Sequence, residues 1–287
     1  MQKGQKRCRL SSPGAGLLLP FLFSSCAPLG IFPAGHLISS GMMTSRWPTV
    51  REKGAYEVRV VANKKLLWEV EWETIVNKEK GKSWVQVHES GYGQPWHCPE
   101  PITWEKEMVF DIAPELQFDS VEGTRWTSQG KLLSHLDIHT DPKRQFILYT
   151  DTDKGDKREH RIPWTNHTFP DELLFHWVRA LNFDQNLAGE YLLLVGPTRR
   201  FRMQAFVRGT EKVTTPAGTF SCYRIELIFR LGALELLPLK SLLVPRLTLW
   251  CTIDPPHFWV RYQGPVGGPG SPQVMINLTR FEQGSVR

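Results

Sequence analysis

Cysteine is scarce: 5 in 287 residues cannot staple a chain of this length into a disulfide scaffold. A surplus of one charge is also missing, with 35 Lys and Arg against 29 Asp and Glu. Together with 41% hydrophobic residues, that balance excludes a disordered chain. Glycine is not periodic, which excludes a collagen-like helix, and strand-like alternation outweighs helical periodicity, which excludes a coiled coil. There is no Gly-x-Ser-x-Gly, no Gly-x-x-x-x-Gly-Lys and no dinucleotide fingerprint, and Gly264–Gly270 precedes no predicted helix. The motifs therefore identify no catalytic residue and imply no cofactor.

The positive residues are unevenly placed. Lys3, Lys6, Arg7 and Arg9 precede an uncharged stretch from Leu10 to Leu37 that holds the apolar run Leu17–Phe23 and then Ser24, Ser25 and Cys26. A basic segment, an apolar run too short to span a bilayer and small residues before a cleavage point describe a secretory signal over 1–25. Cys26 after Ser24-Ser25 resembles the lipobox of bacterial lipoproteins, which implies an acyl anchor on Cys26. Phe23 and Pro20 depart from that pattern. Cleavage there would remove most of the positive excess, so no nucleic-acid partner is expected. The competing reading starts the protein at Met42 or Met43 and leaves it in the cytosol. Residues 26–49, rich in Pro and Gly, read as a flexible tether, and 50–287 as one β-rich domain.

Beyond the tether the period is two. In the stretch from Leu66 to Glu73, the residues Leu66, Trp68, Val70 and Trp72 fall on one strand face and Glu69, Glu71 and Glu73 on the other. A turn near Asn63-Lys64 joins this strand to Tyr56–Val61. Comparable stretches recur from Trp84 to Phe281, about a dozen in all at turn-length spacing. The predicted fold is mainly β: a large curved antiparallel sheet or open half-barrel. One short helix packs on its concave side, with Thr168 or Asp171 as N-cap and Leu173, Leu174, Trp177, Val178 and Leu181 as its apolar stripe.

From this helix onward the order of motifs becomes distinctive. Asp171–Leu181 is followed by Gly189-Glu190-Tyr191, by Thr215-Pro216-Ala217-Gly218-Thr219-Phe220 and by Leu249-Trp250-Cys251-Thr252-Ile253-Asp254. That order resembles a domain-of-unknown-function family of exported bacterial envelope proteins. The resemblance implies a sheet similar to the half-barrels of the LolA and LolB lipoprotein carriers, and carries over no catalytic residue. The Thr-Pro-Ala-Gly turn also has a plain reading as a hairpin, with Pro216 fixing φ and Gly218 accepting a positive φ.

Few constellations offer chemistry. His135, Asp137, His139 and Asp141 share one strand face, and neighbours two apart, ~6.6–6.8 Å at Cα, can chelate one ion. No third ligand is evident, so His135, Asp137 and His139 are weak metal candidates and a solvated face is the ordinary reading. Asp151–Asp156 only faintly resembles a calcium loop and reads as a polar hairpin turn. His88, His97 and Cys98 lack a zinc-site spacing. Cys222 and Cys251 lie on strands that could be neighbours, where an oxidising compartment would permit a bond.

What remains is apolar. With 11 Trp and 15 Phe, inward aromatics either pack a core or line a cleft, and Trp68, Trp72, Trp177 and Trp250 are the candidate ligand-binding residues. Leu231–Pro245 is too apolar for an ordinary surface connection, and Leu236 and Leu237 are candidates for membrane or partner contact. The sequence thus points to a non-catalytic, membrane-anchored envelope lipoprotein facing the periplasm, binding a lipid, an acyl chain or a protein partner in its sheet. The alternatives are an assembly scaffold with a filled core and, less well supported, a metal-dependent hydrolase.

Overall fold

The computed structural model describes residues 51–284, apart from 97, 113–115, 154, 166–167, 231–246 and 267–270. Its frame is one 15-stranded sheet. The strands are β1 (Glu52–Val60), β2 (Leu66–Glu79), β3 (Lys82–Gly93), β4 (Ile102–Asp111), β5 (Gln117–Thr127), β6 (Leu132–Asp141), β7 (Phe146–Asp153), β8 (Asp156–Pro163), β9 (Thr168–Pro170), β10 (Leu187–Val195), β11 (Arg199–Thr215), β12 (Gly218–Arg230), β13 (Leu247–Thr252), β14 (Trp259–Pro265) and β15 (Gln273–Gln283). Their spatial order runs β8 back to β1, then β15 back to β9. Two meanders therefore meet at the β1–β15 pair, and every pairing is antiparallel except the short parallel contact of β9 with β10.

Connectivity alone requires strong curvature. Laid flat, the outer strands β8 and β9 would stand ~67 Å apart at ~4.8 Å per strand. Yet Pro163 ends β8 and Thr168 begins β9, a stretch of chain that can reach at most ~18 Å. The sheet must curl until its two ends nearly meet. Among the described residues it does not close, because β8 pairs only with β7 and β9 only with β10. The free strand β8 carries Lys157, Arg158, Glu159, His160 and Arg161, charges that discourage a further strand from adding to it.

The predicted alternation holds on most strands, with an instructive slip on β2. A bulge pairs Val58 with Trp68 but Arg59 with Leu66, so Leu67 turns inward and Leu66, assigned inward by strict alternation, is exposed. Strand β5 escaped the sequence reading because Gly123 and a bulge opposite Val109 and Phe110 break its period. The β1–β2 turn forms with Lys64 at φ 59°, and Gly218 has φ 134° where β11 turns into β12. The Asp151–Asp156 stretch is the β7–β8 hairpin, with Asp153 opposite Asp156.

The inner face holds tryptophans that a sheet surface would otherwise be too crowded to accept. Each has a glycine opposite it on the neighbouring strand: Gly54 faces Trp72, Gly93 faces Trp68 and Gly91 faces Trp104. A Cβ at any of the three would overlap the facing residue. At Gly54 and Gly91 the facing ring lies over the bare backbone, where van der Waals contact replaces a side chain, and at Gly93 the close approach is to the Trp68 Cα and Cβ and the Leu67 carbonyl. We expect Gly91→Ala to destabilise the fold by ~1–3 kcal/mol or more through overpacking, measured by urea unfolding. Ser90→Ala, on the opposite face of the same strand, should change stability by less than ~0.5 kcal/mol.

Candidate functional site

The inner face is occupied by the chain itself. A 3-10 turn (Asp171–Leu173), the helix α1 (Leu174–Trp177) and a second 3-10 turn (Val178–Ala180) form one continuous plug. The predicted cap is not used: Thr168 belongs to β9, and Pro170 at the N-cap position offers no side-chain bond. Nor is there a single apolar stripe with a wet opposite side. Every plug residue except Phe175 is buried, and these include Asp171, Glu172, His176 and Arg179. Charged groups in such a place need partners, because an isolated buried ion is too costly to keep.

Two polar anchors supply them for His176 and Arg179. Arg179 donates from Nη1 and Nη2 to the two carboxylate oxygens of Glu52 on β1, at 2.9 and 3.2 Å, and from Nε to the Pro256 carbonyl at 3.1 Å. Their side chains are 2% and 0% exposed, so the bidentate fork ties the plug to the junction of the two meanders in low dielectric. The second anchor is Glu89 on β3, which meets Lys106 on β4 at 2.7 Å and His176 Nε2 at 3.1 Å. Burial alone would raise the Glu89 carboxyl, but Lys106 and His176 outweigh it and hold it at about 2. Burial pushes the His176 imidazole down despite Glu89. His176 is therefore the neutral donor and Lys106 the charge partner.

Aromatic packing completes the seal. Phe175 stacks on Trp259 at 4.3 Å, Trp259 on Tyr56 at 3.7 Å and Tyr56 on Trp72 at 5.9 Å. The column thus runs from the plug through β14 and β1 to β2. Trp177 lies 3.6 Å from Tyr191 on β10. These rings fill the inner face as a protein core is filled.

One buried region is less well matched. Both oxygens of Asp171, Oε1 of Glu172, the Tyr149 hydroxyl and the indole nitrogens of Trp68, Trp104 and Trp177 have no hydrogen-bond partner among the described residues. Burial and the adjacent Glu172 carboxyl push the Asp171 carboxyl well above the ordinary carboxylate range, with Lys106 opposing weakly. Burial and both acids likewise raise the Tyr149 phenol. Arg125 on β5 is the further positive group of this neighbourhood.

The sequence candidates are distributed as follows. Trp68, Trp72 and Trp177 belong to the inner core, whereas Trp250 pairs across strands with Arg224 and Arg261 on the outer face and donates to Glu211 at 2.5 Å. His135, Asp137 and His139 do share one face of β6, the outer one, with Leu136 and Ile138 buried opposite. His135 meets Thr124 at 3.0 Å and His139 meets Asp137 at 3.5 Å. No group of three His, Cys, Asp or Glu able to hold an ion occurs among the described residues. The strands of Cys222 and Cys251 are neighbours, but the register pairs Cys222 with Thr252 and Tyr223 with Cys251. The two thiols thus leave on opposite faces and stay free. Half-exposed His88 faces Glu107 on the outer side while Cys98 is buried. Cys26, Leu236, Leu237 and His97 lie outside the described residues.

The anchors Glu52, Glu89, Lys106, Asp171, Glu172, His176 and Arg179 were not singled out from sequence. Their signal was present: Glu89 and Lys106 stand where alternation demands apolar residues, and Glu172, His176 and Arg179 share one helical face. On the outer side, a depression of 540 Å³ lies over β1 to β5 and β15, lined by Glu71, Glu73, Glu105, Glu107 and Glu122 together with Lys53, His88 and Arg280. Its carboxylates are largely engaged, Glu73 by Arg51 and Lys53, Glu107 by Gln86 and His88, and Glu71 by Arg280.

No protein-family model and no curated protein matches the chain. Among solved structures it is similar to a β-barrel-like protein of domain of unknown function DUF1849 from Brucella abortus, at 8% identity and TM-score 0.47, covering 83% of this chain and 99% of that one. It is also similar to a proposed lipoprotein from Parabacteroides distasonis (12% identity, TM-score 0.35, 82% and 97% covered). A proposed exported protein with a YmcC-like fold from Bacteroides fragilis follows (12% identity, TM-score 0.32, 80% and 95% covered). At these identities and scores the likenesses carry no argument about activity.

Removing one member of the buried fork strands the other, so Arg179→Met or Glu52→Gln should each cost ~3–5 kcal/mol in urea unfolding. In the Arg179→Met/Glu52→Gln double variant the two losses should fall well short of adding. The carboxyls also give opposite pH signatures. Glu89, with its folded pKa lowered, contributes stability above the ordinary carboxylate value of 4.5 that is lost as pH falls toward about 2. Asp171, with its folded pKa raised above 3.8, contributes most at low pH, and that contribution is lost as pH rises through the folded value. Thermal melts should therefore show Glu89→Gln losing less stability than the parent between pH 4.5 and 2. The advantage of Asp171→Asn over the parent should grow as pH rises.

Proposed function

We propose that this chain is an exported, non-catalytic module of the bacterial cell envelope, anchored through Cys26, that works as a structural or assembly element through its surfaces. The observation that carries this reading is the plug. The inner face, which the sequence offered as a cleft for an apolar group, is filled by residues 171–180 and by the aromatic column beneath them. A lipid or acyl chain bound there would have to displace Trp177, which is 2% exposed, and break the Arg179–Glu52 fork. Glu52, Glu89 and His176 on the inner side engage partners that fix the plug, so they already have a structural task. Export and acylation rest on the leader, the tether and the family resemblance. Envelope residence places the domain where a rigid, curled sheet on a lipid tether can meet other envelope components.

Native mass spectrometry of protein purified from its own envelope tests both parts. The expected species starts at Cys26 with an acyl modification and retains no stoichiometric lipid once detergent is removed. A saturable, one-to-one complex with a fatty acid or phospholipid would replace the scaffold by a carrier. An intact N-terminus with unmodified Cys26 would reject export.

A further inference from the structure

The outer face of the sheet is electrically divided. Over β2, β4 and β5 it carries Glu71, Glu73, Glu105, Glu107 and Glu122. Over β11 and β12 the same face turns to arginine. Arg200, Arg202 and Arg208 lie along β11, and Arg224 and Arg230 along β12. Arg202 and Arg230 are direct cross-strand partners, an arrangement of like charges that costs stability in an isolated sheet. The acids on this side are engaged: Glu190 by Arg202 and Gln204, Glu226 by Arg208, and Glu211 by the Trp250 indole. Arg200 and Arg224 are exposed, and neither forms an ion pair among the described residues. Between the arginines lie half-buried Leu192, Phe206 and Ile228, with the Arg208 guanidinium 4.8 Å over the Phe206 ring.

We propose that this arginine face is a docking surface for an anionic lipid bilayer, and that it orients the domain on the membrane to which the tether holds it. From Arg200 to Arg208 the face extends ~27 Å along β11, enough to touch several headgroups at once. Cationic side chains near an anionic surface are each attracted by ~1 kcal/mol, and the apolar side chains among them suit the headgroup boundary better than they suit water. Over β2, β4 and β5 no comparable attraction acts, because the glutamates there outnumber Arg51, Lys53 and Arg280, which pair with Glu73 and Glu71. The charge division therefore selects one orientation, with the arginines toward the bilayer and the glutamates away from it. The proposal rests on the envelope reading but is tested apart from it, because vesicle binding is measured on purified protein whatever its native address.

The probe is co-sedimentation of the full chain, carrying Cys26→Ser so that no acyl group contributes, with phosphatidylcholine vesicles containing or lacking phosphatidylglycerol. Binding should require phosphatidylglycerol and weaken as salt rises past ~0.1 M. Arg200→Ala/Arg224→Ala should lower the apparent affinity by at least about tenfold, by the attraction each arginine contributes. Arg200→Lys/Arg224→Lys should restore it, and Glu71→Gln/Glu105→Gln should not weaken it. All variants should share the parent melting curve, since these side chains are exposed. Equal binding with and without phosphatidylglycerol, or binding indifferent to the arginine substitutions, would overturn the proposal. So would the absence of vesicle binding with salt-sensitive self-association, lost in Arg200→Ala/Arg224→Ala, in sedimentation velocity; that result would make the face a contact between copies of the chain.

Discussion

The fork between Arg179 and Glu52 is the constraint on which the rest of the molecule depends. The chain between β8 and β9 forces the sheet to curl, and the fork fixes the plug within that curl by tying it to β1, which pairs with β15 at the junction of the two meanders. It is fully removed from water, so its net energy is modest against well-packed apolar residues of the same volume. Its value is geometric. A guanidinium that must satisfy a carboxylate with two nitrogens and a backbone carbonyl with a third has one position to occupy. The aromatic column then packs against a plug already in place.

Polar anchors and glycine–tryptophan contacts work together in this arrangement. Trp68, Trp72 and Trp104 can lie low on the sheet only because Gly93, Gly54 and Gly91 leave the backbone bare beside them. Lying low, they leave room for a plug above. A Cβ at Gly54 or Gly91 would run into the Trp72 or Trp104 ring, and one at Gly93 into the Trp68 Cα and Cβ. Local sequence, sheet register and the burial of the plug thus agree with one another, as they must in a chain that folds to one structure.

Most of the frame was legible in the sequence because its signal is a period of two, strongest where one sheet face is wet, as in β2 with Glu69, Glu71 and Glu73 outward. What was lost lost its period: β5 to Gly123 and a bulge, Leu66 to a one-residue slip, and β9 to a length of three residues. The helix was legible in place but not in character. Its Leu and Trp positions marked one buried stripe, whereas burial on all sides depends on a sheet that curls around it, a tertiary fact without a local signature. The plug's polar partners are separated by up to 127 residues, and no spacing rule connects Glu52 to Arg179. Glu89 and Lys106 were visible as charges in an apolar register, which is the trace such a site leaves in sequence.

The central claim is that the plug is a permanent part of the core rather than a lid over a cleft. Hydrogen–deuterium exchange of the amides from Leu174 to Leu181 tests it most directly. If the account is right, these amides exchange no faster than those of β1 and β14, through global unfolding alone. Exchange many times faster than in those strands, with the sheet still protected, would show that the plug lifts on its own and that the inner face opens to occupants from outside.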